Sequence, residues 1–181
     1  PLEFLRQSRG TAYTAVRGSP EGFVDPEDIA KALTAKTKAV VINHGSNVSG
    51  AVQPLPDIRS AIGKTCLIVD ACQTIGSIAV DMEAAGADIV CFSCHKSLFA
   101  TQGVGALYVR KGIELVPLKF GGTGSRSESI EHPAFLPDKY ECGTPNTPGI
   151  ASLLGGLLFI EKEGLPGIGA KKQRLRERLV E

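Results

Sequence analysis

Apolar residues recur along this chain in two rhythms. Short unbroken apolar runs closed by polar residues occur at TKAVVIN (37–43), TCLIVDA (65–71), DIVCFS (88–93) and GVGALYVR (103–110). Runs of this length, rich in β-branched residues and bounded by turn formers, predict buried strands. Between them the spacing turns helical. DPEDIAKALTAK (25–36) opens with Asp25 as a cap, Pro26 at the first helical position and Asp28 at the third, and Ile29, Ala32 and Leu33 form its apolar stripe. LPDIRSAIG (55–63) places Ile58 and Ile62 four apart, and QTIGSIAVDMEAAG (73–86) reads as a loop followed by a short helix. AYTAVR (12–17) predicts a further short strand, Pro148 starts a helix through ASLLGGLLFIEKEG, and a last helix covers 167–181. Strands alternating with helices indicate an α/β protein with a mainly parallel sheet.

Two segments depart from that alternation. The turn at 97–102 is too short for a crossover helix, so strand 103–110 is expected to run against its neighbours. Residues 111–147 are rich in Gly, Ser, Pro and charge, longer than most connections, and are either a functional loop or disordered. No internal repeat is visible.

Composition changes this picture little. The chain has 181 residues, 43% hydrophobic and 22% charged, with a formal net charge of +1. That is an ordinary globular balance, and it gives no reason to expect nucleic acid as a partner. The basic run KKQRLRER near the C-terminus reads as a solvated helix face. No apolar stretch is long enough for a membrane span and no signal peptide is visible. Five cysteines, at 66, 72, 91, 94 and 142, favour reduced thiols in a cytoplasmic protein over a disulfide framework. Cys91 and Cys94 have CxxC spacing, but Cys91 lies inside an apolar run where redox pairs do not sit, and no set of residues has metal-ligand spacing. The chain starts at Pro1 and stops inside the last helix, so it is expected to be part of a longer polypeptide.

The candidate chemistry lies at the strand ends, where open α/β sheets collect ligands. The first run delivers Asn43 and His44, with Asn47 in its loop; the second delivers Asp70 and Gln73; the third delivers Ser93, His95 and Lys96. Taken singly, Asp70 reads as a cap for the next turn, His95 as a structural hydrogen-bonding residue and Lys96 as a surface charge. Together they suit an aromatic nitrogen cofactor that carries an aldehyde and a phosphate. A lysine amine forms a Schiff base with an aldehyde. A carboxylate facing a pyridine nitrogen keeps it protonated. An amide donates to a phenolic oxygen, and Ser and His donate to phosphate oxygens. Residue type and spacing alone leave this as one option beside the single-residue readings. No dinucleotide or P-loop fingerprint competes, because GVG at 103–105 is a strand start.

The stretches NHGSNVSGAVQPLPDI, LIVDACQTIGSIAVD, DIVCFSCHKSLFATQGVGALYVRKG and YECGTPNTPGI resemble, in that order, the class V aminotransferase and cysteine desulfurase family of fold type I pyridoxal phosphate enzymes. The resemblance covers roughly residues 10 to 160. It implies a three-layer α/β/α fold, with residues 1–161 as part of the cofactor-binding large domain and 162–181 as a helix leading toward a small domain. It implies pyridoxal 5'-phosphate held by Lys96 as a Schiff base, with Asp70 on the pyridine nitrogen, Gln73 near the phenolic oxygen, and Ser93 and His95 on the phosphate. By the same resemblance Asn47 lies near the cofactor oxygen and the substrate carboxylate. Thr144 reaches the phosphate of a partner subunit, which implies a homodimer with shared active sites. The implied substrate is a small amino acid. The implied reaction is cysteine desulfuration, with a sulfur-acceptor protein as a further partner, or transamination. A non-catalytic scaffold on the same fold is the remaining alternative. None of the five cysteines matches the family's sulfur-carrying position, which is expected beyond Glu181.

Overall fold

The computed structural model describes residues 1–126 and 128–180. They form two compact units, one of Pro1–Ile75 with Ala79–Phe92 and one of Gly76–Ile78 with Ser93–Glu181.

In the first unit, strands β1 (Ala39–Asn43), β2 (Cys66–Asp70) and β3 (Ile89–Ser93) form where the apolar runs predict them. β1 pairs with β2 in parallel from Ala39 opposite Cys66 to Asn43 opposite Asp70, and β2 pairs with β3 in parallel from Ile68 opposite Ile89 to Asp70 opposite Cys91. The carboxyl ends of β1 and β2 therefore share one edge. Alternation along β2 sends Leu67 and Val69 into the core at 0% and 1% exposure.

Helix α1 (Leu2–Arg9) was not legible in the sequence. Its Glu3 accepts hydrogen bonds from Arg6, Gln7 and the hydroxyl of Tyr13. Tyr13 lies in 12–17, the segment expected to be a strand. That segment forms no strand, since its amides find no neighbouring ladder among the described residues. α2 (Pro26–Ala32) starts as predicted, with the Asp25 carboxylate accepting the Glu27 amide at 2.8 Å. It stops short of Lys36 because Thr34 and Thr37 bond the local backbone instead: the Thr37 hydroxyl accepts the Thr34 amide at 2.9 Å. α3 (Leu55–Ile62) buries Leu55, Ile58 and Ile62, one stripe at helical spacing.

The short helix expected before residue 86 is absent. The Asp81 carboxylate caps a single turn by accepting the amides of Glu83 and Ala84, and the chain then reverses at Gly86. The reversal returns Asp88 to Arg59 of α3. One Asp88 oxygen accepts from Arg59 Nη1 at 3.1 Å and from the Leu67 amide at 2.7 Å. Arg59 also donates to the carbonyls of Gly86, Thr65 and Gly63. This buried clamp ties the end of α3 to the starts of β2 and β3.

The second unit holds β4 (Gly105–Val109), α4 (Thr147–Glu163) and α5 (Leu165–Val180). Asn146 caps α4 by accepting the Gly149 amide at 3.1 Å. No helix or strand lies between residues 110 and 146 among the described residues, matching the irregular stretch read from the sequence. α5 begins two residues before the expected 167 and buries no residue, as a solvated face requires; Glu181, the last residue of the expected helix, lies outside the described residues. The sheet is mostly parallel and flanked by helices, the expected α/β class.

Candidate functional site

In the first unit, the residues singled out by sequence gather on two loops at the carboxyl edge of β1 and β2. The His44 amide donates to the Asp70 carbonyl at 2.8 Å, continuing the ladder one step past the strands. The Asp70 carboxylate accepts the Cys72 amide at 3.0 Å, so it does cap the following turn. That turn closes through the amides of Thr74 and Ile75, both donating to the Ala71 carbonyl, and carries Gln73 half-buried at its tip.

The other loop, 44–53, is a tight hairpin. The Gln53 amide donates to the His44 carbonyl at 2.8 Å and the Ser46 amide to the Ala51 carbonyl at 2.9 Å. The Ser46 hydroxyl accepts the amides of Val48 and Ser49, which leaves Asn47 displayed to solvent. The buried Gln53 side chain anchors the hairpin from below, accepting the Val24 amide and donating to the Gly22 carbonyl.

The two loops are in close contact. A Cβ at Gly45 would come within 2.7 Å of Thr74 Cγ2 and 3.3 Å of Gln73 Cβ, so only glycine permits this approach. Beside it, His44 Nδ1 and Thr74 Oγ1 are 2.9 Å apart, with the residues 6% and 2% exposed. Nothing in the spacing of His44 and Thr74, thirty residues apart, announces this pair.

Burial pushes the His44 imidazole below its ordinary pKa of 6.5. The unfolded chain then binds more protons than the folded one below that value. The His44 contribution to stability is therefore complete above pH 6.5 and declines as the pH falls beneath it. Urea unfolding between pH 7.5 and 5 is expected to show a steeper acid loss for the native protein than for His44→Gln. Equal slopes would remove His44 as the cause.

In the second unit, Ser93, His95 and Lys96 follow one another at the end of β3. The Cys94 amide donates to the Val104 carbonyl at 2.9 Å and the Ala100 amide to the Cys94 carbonyl at 3.0 Å, closing 94–100 into a loop. His95 and Lys96 stand exposed on it. The Ser93 hydroxyl oxygen is buried and has no hydrogen-bond partner among the described residues. An unsatisfied buried hydroxyl costs about 1–3 kcal/mol, which a ligand acceptor would offset. The Ser97 hydroxyl lies 2.5 Å from that of Ser77, and a Cβ at Gly76 would stand 2.6 Å from the Ser97 carbonyl. Thr144 is exposed in the loop before α4, where the Gly143 amide donates to the Gly122 carbonyl at 2.7 Å.

Cys91 contacts the Val69 carbonyl through its sulfur, and burial, then the charge of Asp70 and Cys72, push its thiol up. Cys94 is fully buried.

A family model for aminotransferase class-V matches residues 1–181. The chain belongs to that family. Among curated relatives, a probable cysteine desulfurase of Pyrococcus abyssi is 30% identical over 190 residues, covering 100% of this chain and 46% of the relative. Among solved structures, a NifS-like protein superimposes with a TM-score of 0.83 at 29% identity, covering 98% of this chain and 46% of the other. An apo cysteine desulfurase from Thermococcus onnurineus NA1 gives 0.78 at 26% identity, covering 97% and 45%. This class-V chain thus spans just under half the length of the relatives it matches. Its mostly parallel, helix-flanked sheet is the large-domain fold of fold type I pyridoxal phosphate enzymes. No helix among the described residues is long and apolar enough to cross a membrane.

Proposed function

We propose that this chain is the cofactor-binding portion of a pyridoxal 5'-phosphate enzyme that acts on L-cysteine as a desulfurase. The observation that carries the cofactor reading is the orphaned Ser93 hydroxyl, buried two and three residues before an exposed imidazole and an exposed primary amine. A buried donor without an acceptor fits a phosphate oxygen, and an exposed amine fits an aldehyde. That donor set suits pyridoxal phosphate.

Lys96 would hold the cofactor by condensing its amine with the aldehyde and releasing one water. Ser93 and His95 would bind its phosphate, Asp70 its pyridine nitrogen and Gln73 its phenolic oxygen. Asn47, displayed on its anchored hairpin, would face the substrate carboxylate, and Thr144 would serve the phosphate site of a second copy in a homodimer. When bound, the cofactor supplies an electron sink for the bonds around the substrate α-carbon. Lys96, once its amine is free, would move the proton at that carbon.

The names of the relatives support desulfuration as the reaction. In its overall balance a protein thiol and cysteine become a protein persulfide and alanine: the substrate carbon–sulfur bond breaks, the sulfur is oxidised in joining the protein sulfur, and the carbon is reduced and takes up a proton. No cysteine of this chain matches the position that the family resemblance gives the sulfur carrier, and burial both pushes the Cys91 thiol up and covers Cys94. Transamination of a small amino acid is the second reading, supported by the family description itself. The holoenzyme supplied with cysteine and a thiol reductant is expected to release alanine and sulfide in equal amounts. Keto acid from amino donors, with no sulfide from cysteine, would decide for transamination.

A further inference from the structure

Helix α4 packs within its unit through small residues and the edge of one aromatic ring. Its apolar residues Ile150, Leu154, Leu157 and Leu158 are 45–59% exposed. The face that packs within its own unit is Gly149, Ser152, Gly156 and one edge of Phe159, itself 47% exposed, spaced three, four and three apart along one helical stripe. Each of these residues grips a piece of the segment that follows Lys96. Gly149 lies so close to Val104 that a Cβ would overlap it, and Ser152 Oγ accepts the Thr101 amide at 2.9 Å. Gly156 sits against the Leu98 carbonyl with no room for any side chain, and the Phe159 ring meets Phe99 edge-on, centroids 5.3 Å apart at 86°.

Phe99 is the unusual member. With φ at 60° it is the one non-glycine residue in the left-handed region among the described residues. A bulky side chain there is strained and persists only where its surroundings over-determine it. Core burial does not explain it, because Phe99 is 48% exposed. What its conformation does is close the loop that carries Lys96: it aims the next amide, that of Ala100, at the Cys94 carbonyl, 3.0 Å away. Rotating Phe99 out of the left-handed region would break that bond and open the 94–100 loop that carries the Lys96 amine.

We propose that Phe99 is a positioning residue for Lys96, holding the turn that carries the amine through its ring contact with Phe159 on α4. The proposal rests on Lys96 as the cofactor-bearing residue. It differs from ordinary packing in what it predicts for glycine. Phe99→Gly keeps the left-handed turn accessible without strain but removes the ring, so the turn loosens although its geometry remains allowed.

The test uses the holoenzyme and its cofactor-free form in Phe99→Gly, Phe159→Ala, Phe159→Tyr and the Phe99→Gly/Phe159→Ala double variant. Phe99→Gly and Phe159→Ala are each expected to lower kcat about tenfold with KM within about twofold, the signature of misplacement and not of weaker binding. In the cofactor-free protein, acetylation of Lys96 relative to Lys111, read by peptide mass mapping, is expected to change at least about threefold in both variants. Phe159→Tyr should behave as the native protein. The double variant should be no worse than either single one, because both break the same contact. Unchanged kcat and unchanged Lys96 acetylation in Phe99→Gly would overturn the proposal, as would a lowered urea midpoint with neither readout moved. Borohydride trapping of the native holoenzyme separates the two levels. An adduct on Lys96 with an inert Phe99→Gly rejects Phe99 alone, whereas an adduct elsewhere rejects the Lys96 reading and this proposal with it.

Discussion

Lys96→Ala is expected to abolish covalent retention of pyridoxal phosphate and to lower turnover by at least ~10²–10⁴-fold, the usual effect of removing a proton-transfer group. The expectation follows from chemistry that a neighbour cannot replace. Lys96 follows directly on β3, whose end carries the orphaned Ser93 hydroxyl, and its loop is closed by the amides of Cys94, Phe99 and Ala100. The nearest other lysine along the chain, Lys111, lies beyond β4 on a different turn. Lys111→Ala is therefore the matched control and is expected to leave turnover within about twofold, as surface substitutions do. Gel filtration in mild denaturant separates the two proteins from loosely held cofactor. A Lys96→Ala protein that keeps cofactor bound through this step and retains turnover would contradict the assignment.

Asp88→Ala is expected to destabilise the fold by about 3–5 kcal/mol, the cost of breaking a buried ion pair by removing one partner. Asp88 is 2% exposed and Arg59 21%. Removing the carboxylate leaves the guanidinium among the carbonyls of Gly63, Thr65 and Gly86 without its counter-charge. It also strips the acceptor from the amide of Leu67, a residue with no solvent exposure. Asp88→Asn retains an oxygen acceptor for that amide and is expected to cost less. Because α3, β2 and β3 meet at this clamp, the loss should appear as a lower urea midpoint with an unchanged slope. A midpoint shift equivalent to less than about 1 kcal/mol would show that the clamp carries little of the stability.

The strands and their polar ends were legible because each is a local feature: a short apolar run that stops at Asn43, Asp70 or Ser93. The start of α2 was legible for the same reason, since Asp25 and Pro26 act on adjacent amides. Features set by distant partners were not. The helical composition around Ala84 and Ala85 gives way to a single turn because Asp88 must return to Arg59. AYTAVR looks like a strand but lacks a ladder, and its Tyr13 instead serves Glu3 of a helix that no pattern announced. The sequence marked α4 only as a helix starting at Pro148; its packed face is glycine, serine and one phenylalanine, residues whose role shows only against Leu98, Phe99 and Thr101. At the candidate site, residue types and order were legible. The hairpin that displays Asn47 and the His44–Thr74 pair were not, since both depend on loops that meet only after folding.

Covalent cofactor attachment at Lys96 is tested most directly by reducing the pyridoxal phosphate-loaded protein with borohydride and mapping the adduct by peptide mass spectrometry. The account predicts a phosphopyridoxyl group on the peptide containing Ser93 to Phe99, fragmenting to Lys96. An adduct on Lys111 or Lys119, or no adduct on any lysine of a protein that turns over, would contradict it.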